Sequence, residues 1–489
     1  MNGEPAHDPS LPAAALLAID KICEAFEAEW KTGQQPQLEP YLADVAEPIR
    51  PALLRELMLL DEEYRARCRV QLDVVRGPHR GRKFVFDRHD SFLVGRASFA
   101  HFRLRRRDSR ISRIHFMIEV NPPRCQLFDM GSTNGTRVNQ RQVESADLYD
   151  GDLIQAGRTV LKVSFLGNWS ASAASDGQMA HQRASAVERP HAPVSAAKET
   201  ATRPREPLPT VPGYEILREL GRGGMGMVYL ANRAADGTQV AVKIIRPVTA
   251  VSEREVRCFL REANILRELR HPHIVAFHEM GQVEGWLYFV MEYVPGTDAL
   301  QVLKHHGRLL IHHAVRMVCK VLEALQYAHA RGFVHRDVKP ANLLLGKEPW
   351  SATCKLADFG LARVYHASLL SGLTLLGDSG GTMFYMPPEQ ITHYRDATPA
   401  ADQYAAAATL YHLLTGQYLF DLADDVPVAR QLAKILLEQP VAIRERRPDI
   451  PDALALAIHR ALEKDPRARF ADAAGFREAL LPFSGLLNP

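Results

Sequence analysis

Gly221-Arg222-Gly223-Gly224-Met225-Gly226-Met227-Val228 is a G-x-G-x-x-G-x-V run. Glycines let backbone N–H groups approach phosphate oxygens closely, and the β-like flanks Tyr214–Leu220 and Val228–Asn232 would make the run a hairpin lid. Alone it is also what a tight turn looks like, and the same run opening a helix, with an acid about 20 residues on, would suggest a dinucleotide fold. Here a strand follows instead, Val240-Ala241-Val242-Lys243, ending in lysine. Ser252-Glu-Arg-Glu255 is then a capping box, with the serine hydroxyl and Glu255 satisfying orphan N–H groups. Its helix carries Val256, Leu260, Ala263, Leu266 and Leu269 on one face and holds Glu262. A Lys243–Glu262 pair would steady the lysine on nucleotide phosphates; the alternative is a surface ion pair worth about 0–1 kcal/mol. Downstream come His335-Arg336-Asp337-Val338-Lys339-Pro340-Ala341-Asn342, Lys355-Leu356-Ala357-Asp358-Phe359-Gly360, and Gly381 to Glu389 ending Met-Pro-Pro-Glu. Each is explicable as a loop taken singly. Their order and spacing together are not.

From Tyr214 to about Phe483 these motifs resemble the eukaryotic-like serine/threonine protein kinases. The resemblance implies ATP beneath the glycine loop (Gly221, Arg222, Gly223, Gly224, Met225, Gly226), with Val228 and Ala241 against the adenine. It makes Met291 the gatekeeper and Glu292 to Val294 the hinge. Lys243, paired with Glu262, would hold the α- and β-phosphates. Asp358 and Asn342 would ligate Mg²⁺, with Mn²⁺ as the alternative. Asp337 would accept the substrate hydroxyl's proton, and Lys339 would offset charge on the transferred group. Glu389 would pair with Arg469, and Asp402 would brace the catalytic loop. Arg336 would receive a phosphate on the activation segment, for which Ser371, Thr374 and Ser379 are candidates. Pro387 stands where relatives carry alanine, and Ala405 to Ala408 replace a common Ser-Leu-Gly run; neither position touches chemistry.

A second ordered set precedes the first: Gly95-Arg96, Ser112-Arg113-Ile114-His115, Asp129 to Thr136 and Leu148 to Asp152. It resembles the forkhead-associated (FHA) family, a β-sandwich reading phosphothreonine through loops at one end. A dianionic phosphate wants a guanidinium, a hydroxyl and amide donors converging from separate loops. The resemblance gives Arg96 and Ser112 that role, assisted by Arg113 and Thr133, with Asn134 on the peptide backbone. His115 would brace the Ser112 loop.

The elements that must position these groups fall into four stretches. Residues 1–66 read as helical: Leu16, Ile19, Ile22, Phe26 and Trp30 recur at helical spacing up to a stop at Gly33. After a turn from Gln34 to Pro51, Leu53, Leu54, Leu57, Leu60 and Tyr64 repeat the pattern. Residues 67–167 turn to period two, with β-like runs at Val70–Val74, Lys83–Phe86, Phe92–Val94, Ile111–Val120, Arg124–Phe128 and Thr159–Phe165, as in an all-β sandwich. Residues 168–212, rich in Ala, Ser, Pro, Arg and His, read as a disordered linker. Residues 213–484 form a mixed α+β domain, with an N-lobe at 213–293 and a C-lobe at 294–484.

Composition agrees with a multidomain globular protein: 489 residues, 46% hydrophobic, 24% charged, net charge +3. Fifteen Lys/Arg against four acids between Arg65 and Arg113 make one basic stretch. Within it the Arg105-Arg106-Arg107 cluster has no aromatic platform interleaved, so the cluster reads as a solvated basic face that steers phosphopeptides rather than one for nucleic acid. Six scattered cysteines point to free thiols, and no signal peptide is evident. The charge-free stretch Gln403–Phe420 is short for a span and reads as a buried helix. His271, His273, His312 and His313 lack a matching pair for a metal. The expectation is a cytoplasmic bacterial kinase, planctomycete-like in Ile22–Tyr64, acting on protein serine and threonine. No membrane or nucleic acid is expected. The module would read phosphothreonine in cis, at Thr200, Thr202 or Thr210, or on separate substrates. The competing class is an inactive phosphopeptide-binding scaffold, which loss of Lys243, Asp337 or Asp358 would favour; all are present.

Overall fold

The computed structural model describes residues 19, 21–23, 25–29, 36–43, 45, 49–66, 69–87, 90–104, 110–122, 124–166, 210–223, 226–245, 267, 269–283, 286–347, 353–359, 382–392, 397–421 and 426–485. In the first stretch, residues 19, 21–23 and 25–29 are helical, followed by α1 (Glu39–Leu42) and α2 (Ile49–Ala66). Ile19, Phe26, Leu53, Leu57 and Leu60 bury together. Two details differ from the sequence reading. The expected turn contains α1, and Pro51 lies in the first turn of α2, where an N–H has no intrahelical partner to lose. Leu54 is 37% exposed, because Leu53, Leu57 and Leu60 already form the packed stripe.

The β-rich stretch is a sandwich of β1 (Arg69–Arg76), β2 (Lys83–Phe86), β3 (Asp90–Gly95), β4 (Phe102–Arg103), β5 (Phe116–Asn121), β6 (Arg124–Asp129), β7 (Thr136–Val138), β8 (Arg141–Val143), β9 (Ser145–Asp147), β10 (Leu153–Ala156) and β11 (Thr159–Leu166). The sheets run β2-β1-β11-β10-β7-β8 and β4-β3-β5-β6-β9. Val70, Leu72 and Val74 alternate inward from β1 and meet Phe92, Val94, Phe116 and Ile118. The run Ile111–Val120 is not one strand. Residues 111–115 are a loop closed by Ser112 N–H donating to His115 Nδ1 at 3.1 Å, and pairing starts at Phe116. Strands β7 to β10 were not foreseen, since segments of three or four residues carry too little alternation to register.

The large domain opens with β12 (Tyr214–Gly223), β13 (Gly226–Arg233), β14 (Gln239–Ile245), β15 (Phe277–Val283) and β16 (Trp286–Glu292), in the order β12-β13-β14-β16-β15. Val211 is buried with Tyr229 and Val240. Packing therefore begins inside what the sequence reading assigned to the linker. A small sheet of β17 (Gly296–Asp298), β18 (Leu343–Gly346) and β19 (Cys354–Leu356) follows, within a helical lobe. Its helices are α3 (Ala299–His306), α4 (Ile311–His329), α5 (Pro388–Thr392), α6 (Pro399–Thr415), α7 (Val428–Leu437), α8 (Ile443–Arg446), α9 (Asp452–Ala461) and α10 (Ala473–Leu480). Asp298 caps α3 by accepting from Gln301 N–H at 2.9 Å. Pro399 starts α6, and Gly416, at φ 72°, ends it in the left-handed region.

Helix α6 explains the charge-free stretch: every residue from Ala401 to Thr415 is buried, with α4, α9 and α10 packed around it. Among the described residues no helix is long and apolar enough to cross a membrane. Among the described residues no disulfide is formed, and burial pushes the Cys319 thiol up to about 11 and Cys354 up to about 12.

The end of α5 is tied to the lobe by Arg469. Its guanidinium, wholly buried, grips Glu389 at 2.5 and 2.9 Å and also donates to the carbonyls of Ala400 and Glu463 at 2.8 Å. Removing Arg469 leaves the Glu389 carboxylate, only 19% exposed, uncompensated and two carbonyls without their donor. Arg469→Ala should lower helical-lobe stability by roughly 3–5 kcal/mol, read from urea unfolding; a loss within about 0.5 kcal/mol, as at ordinary surface sites, would contradict this account.

Candidate active site and phosphate-reading loops

Two residues in the loops around β18 and β19 adopt left-handed backbone: Arg336 (φ 69°) and Asp358 (φ 64°). Non-glycine residues held there cost of order 1–3 kcal/mol each and need external support. For Arg336 the support is visible. Asp402 of α6, fully buried, accepts from His335 N–H and Arg336 N–H, both at 2.8 Å, and from His329 Nε2 at 2.7 Å. On the other side, Gln390 Nε2 of α5 donates to Arg336 O at 2.8 Å. His335 spans to the next loop through Nε2 and Ala357 O at 2.8 Å. One buried carboxylate and one amide thus fix the peptide units directly before Asp337.

The chemistry-bearing groups then converge. Asp337 Oδ2 lies 2.9 Å from Lys339 Nζ and 3.0 Å from Asn342 Nδ2, which also donates to Asp337 O at 2.8 Å. Lys243 Nζ, from β14, reaches Asp358 Oδ2 at 2.8 Å. Burial alone would push the Asp358 carboxyl up, but the charge and hydrogen bond of Lys243, with Lys339 and His335 beyond, hold it below the usual range. Two ion pairs, Lys243–Asp358 and Lys339–Asp337, thus lie close enough for the charge of Lys339 to act on Asp358. Asn342 commits its nitrogen to Asp337, which leaves the lone pairs of its amide oxygen for a cation that Asp358 also ligates. These hard oxygens suit a small divalent cation. Among the described residues no three His, Cys, Asp or Glu cluster on a common point, so such a cation would complete its shell with phosphate oxygens and water.

Above the charged group lies an apolar slot. Ala241, Met291 and Ala357 are buried together, with Leu220, Val228, Val294 and Leu344 packed against them. Val228 stands opposite Lys243, and Ala241 opposite Met291. The glycine run is the turn of the β12–β13 hairpin, pairing Gly221 with Val228, Arg222 with Met227 and Gly223 with Gly226. Gly226 has φ 137°, and a Cβ there would sit 2.3 Å from Ile244 O, so only glycine fits. Arg222 faces outward to Glu219 at 3.4 Å. Glu292 N–H is spent on Ala276 O at 2.8 Å, and its carboxylate on Lys355 at 2.7 Å. Hinge bonds to a base would therefore come from its carbonyl and from Val294. Gly224, Met225, Glu262, Ser371, Thr374 and Ser379 lie outside the described residues, as does the side chain of Thr382.

At one end of the sandwich, Arg96, Ser112, Thr133 and Asn134 come together. Thr133 N–H donates to Ser112 Oγ at 3.0 Å, and the two hydroxyls lie 3.4 Å apart. Arg96 Nε donates to Ile111 O, and Asn134 Nδ2 to Arg110 O at 2.8 Å. Arg113 is exposed beside them. Gly95 is required where it stands, since a Cβ would meet Arg113 O at 2.3 Å. His115 is fully buried and also faces Gly135 O at 3.3 Å, a bracing rather than catalytic position.

Two family models match in chain order, the FHA domain at residues 92–157 and the protein kinase domain at residues 214–480. The second covers more than half of the chain. The protein belongs to the protein kinase family. Membership brings ATP and a divalent metal, and the cleft's residues suit both. This kinase is 39% identical over 275 residues to the serine/threonine-protein kinase PknF of Mycobacterium tuberculosis, an alignment covering 55% of this chain and 56% of PknF. It spans about half the length of the curated relatives it matches. Among solved structures it aligns with the Mycobacterium tuberculosis PknI kinase domain (32% identity, TM-score 0.44, 56% of this chain and 96% of that one). It also aligns with Rad53 1-466 in complex with AMP-PNP (24% identity, TM-score 0.45, 85% and 99%).

Sequence reasoning gave no role to four residues that the structure places at the two sites, although Asp129 stands in a motif it quoted. Leu220 and Leu344 line the slot, and Leu344, two residues after Asn342, could have been found from its spacing. Gln390 carries no such signal. Asp129 orders the reading loop by accepting from Ser132 N–H at 2.7 Å, Ser132 Oγ at 2.6 Å and Thr136 Oγ1 at 2.7 Å. Asp402, by contrast, was foreseen. Burial raises its carboxyl, but His329, by hydrogen bond and charge, and then His335 outweigh this and hold it below the usual range. Its stabilisation is thus present above the ordinary carboxylate value of about 3.9 and is lost as pH falls through the folded value. Asp402→Asn should remove part of the acid-side slope of stability and cut turnover at neutral pH. An unchanged slope with unchanged turnover would show that Asp402 is not the brace.

Proposed function

We propose that this chain transfers the γ-phosphoryl group of ATP to serine and threonine hydroxyls of proteins, and that its FHA module binds phosphothreonine. The observation carrying the first half is the pair Lys243–Asp358 beside the set Lys339–Asp337–Asn342, whose loop Asp402 orders through His335 and Arg336 N–H. In this reading Asp337 accepts the acceptor hydroxyl's proton as that oxygen attacks the γ-phosphorus in line. The bond to the β–γ bridging oxygen breaks and ADP leaves. Lys339 neutralises charge on the transferred group, and Lys243 holds the α- and β-phosphates. Val228, Ala241 and Met291 shape the slot for adenine, with hinge bonds from Glu292 and Val294, under Gly221 to Gly226. A divalent cation, Mg²⁺ in preference to Mn²⁺, would be held by Asp358 and Asn342 and would supply charge neutralisation at the phosphates. Glu262 as the partner of Lys243, and Ser371, Thr374 or Ser379 as phosphosites read by Arg336, belong to the same proposal. So do a cytoplasmic location and the planctomycete-like character of the first helices.

The second half rests on Arg96, Ser112, Thr133 and Asn134 meeting at one rim with Arg113 beside them, a set of donors suited to a dianion. Both halves are testable on the full chain. Asp337→Asn should lower phosphate transfer to a basic test protein at least about 100-fold, the low end of general-base effects. Equal rates for variant and wild type would remove the kinase reading. Arg96→Ala should weaken binding of a phosphothreonine peptide roughly tenfold or more, since a charge-assisted bond is worth about 1.5–3 kcal/mol. Unchanged affinity in titration calorimetry would remove the reader.

A further inference from the structure

Strand β5 is buried along its whole length, on both faces. One face closes the sandwich core through Phe116, Ile118 and Val120. The other carries Met117, in register with Leu93 of β3 and Phe128 of β6. Leu93 (0% exposed), Met117 (1%), Ile114 (2%) and Met130 (3%) belong to the apolar cluster of the kinase's helical lobe, not to the sandwich core. The elements in contact are α5 against β3 and α7 against β6. At the rim, Arg430 of α7 lies 3.5 Å from Glu144, and its side chain passes where a Cβ on Gly131 would come within 3.3 Å. The ion pair is exposed and contributes little; burial of the apolar stripe holds the module in place.

The phosphate-reading loops stay open in this seated arrangement. Arg96, Arg113, Thr133 and Asn134 are exposed and Ser112 is half-buried. Arg96 directly follows β3, the strand resting on α5. Thr133 and Asn134 share a loop with Met130 and Gly131, which meet the helical lobe. Helix α5 in turn holds the catalytic loop through Gln390 and Arg336 O. The Arg96 loop, through β3, and the catalytic loop, through Gln390, are therefore both attached to one short helix, while the Thr133–Asn134 loop meets Arg430 of α7.

We infer that the FHA module is a fixed reader. Seated on α5 and α7, it holds a phosphothreonine at a set distance from Asp337. The preferred substrate is then a protein already phosphorylated on threonine, with its acceptor serine or threonine at a defined spacing. This rests on the functional reading above. A freely tethered module would accept many spacings, because effective concentration varies slowly with span. A seated one accepts spacers whose extended length, about 3.3 Å per residue, bridges a constant gap. An enzyme that phosphorylates threonine, whether another kinase or a further copy of this one, must supply that substrate.

The test uses the full chain and peptides in which a phosphothreonine and an acceptor serine are separated by about 4 to about 16 residues, beside unphosphorylated controls. The expected result is one optimum of spacing, where KM falls roughly tenfold below the control, the effect of one charge-assisted contact. Met117→Lys, which places a charge in the buried contact with the helical lobe, should keep phosphopeptide affinity and the rate on control peptide while flattening that optimum. Met130→Lys, which charges the same buried contact from a loop rather than a strand, should flatten it too and serves if Met117→Lys does not fold. A wild-type profile flat across spacers overturns the inference, as does a wild-type optimum retained by the folded variants. Failure to phosphorylate any peptide strikes the kinase reading, and failure to bind phosphothreonine strikes the reader; either takes this inference with it, and the control arms tell them apart.

Discussion

The active site depends on a carboxylate that touches no reactant. Asp402 is fully buried in α6 and is satisfied by His329 and by two successive backbone N–H groups. Those N–H groups belong to His335 and Arg336, and the second lies in a left-handed conformation that an arginine does not adopt unaided. A buried charge left unsatisfied would cost several kcal/mol. The loop is therefore held in its strained form because relaxing it would strand Asp402. Strain at the catalytic loop and burial in the lobe core are two sides of one balance.

From that point the order propagates by short links. Gln390 takes the remaining carbonyl of Arg336 and joins the catalytic loop to α5. Glu389, its neighbour, is locked by Arg469, which also closes on Ala400 at the start of α6. Helix α5 has five residues and little stability of its own. It stands because the catalytic loop and the Arg469 segment hold it, and the outer face of the FHA sheet rests on it. Stability and catalytic geometry share the same contacts.

The parts legible in the sequence were those where chemistry dictates residue type. Gly226 must lack a side chain because Ile244 O occupies the place; Lys243, Asp337, Asn342 and Asp358 carry charge or hard donors that nothing else supplies. Helix α6 was legible from the lack of charge over a length too short for a membrane. What stayed hidden has a common cause. Strands β7 to β10 are short, Leu344 looks like any strand leucine, and Gln390 acts through one amide on a distant backbone atom. The outer face of β3, β5 and β6 was hidden for another reason. Leu93, Met117 and Phe128 sit on alternate positions of strands whose inner face is also apolar, so the period-two signal is lost. Strands covered on both sides read as continuous hydrophobic runs, and the sequence does not say what the second cover is.

That second cover turns two familiar modules into one surface. With a tether alone, the relation between reader and active site would be statistical. With Leu93, Met117 and Met130 seated against the helical lobe, it is geometric, and α5 is the shared mount. The most direct measurement is a distance distribution between spin labels on the full chain. Val85→Cys on β2 and Leu456→Cys on α9 place them at exposed positions of the two modules. The account predicts a single narrow distribution that does not change when Gly-Ser residues are inserted between positions 168 and 209. A broad distribution that lengthens with the insertion, as for domains joined by a flexible chain growing at about 5–6 Å × √n, would contradict it.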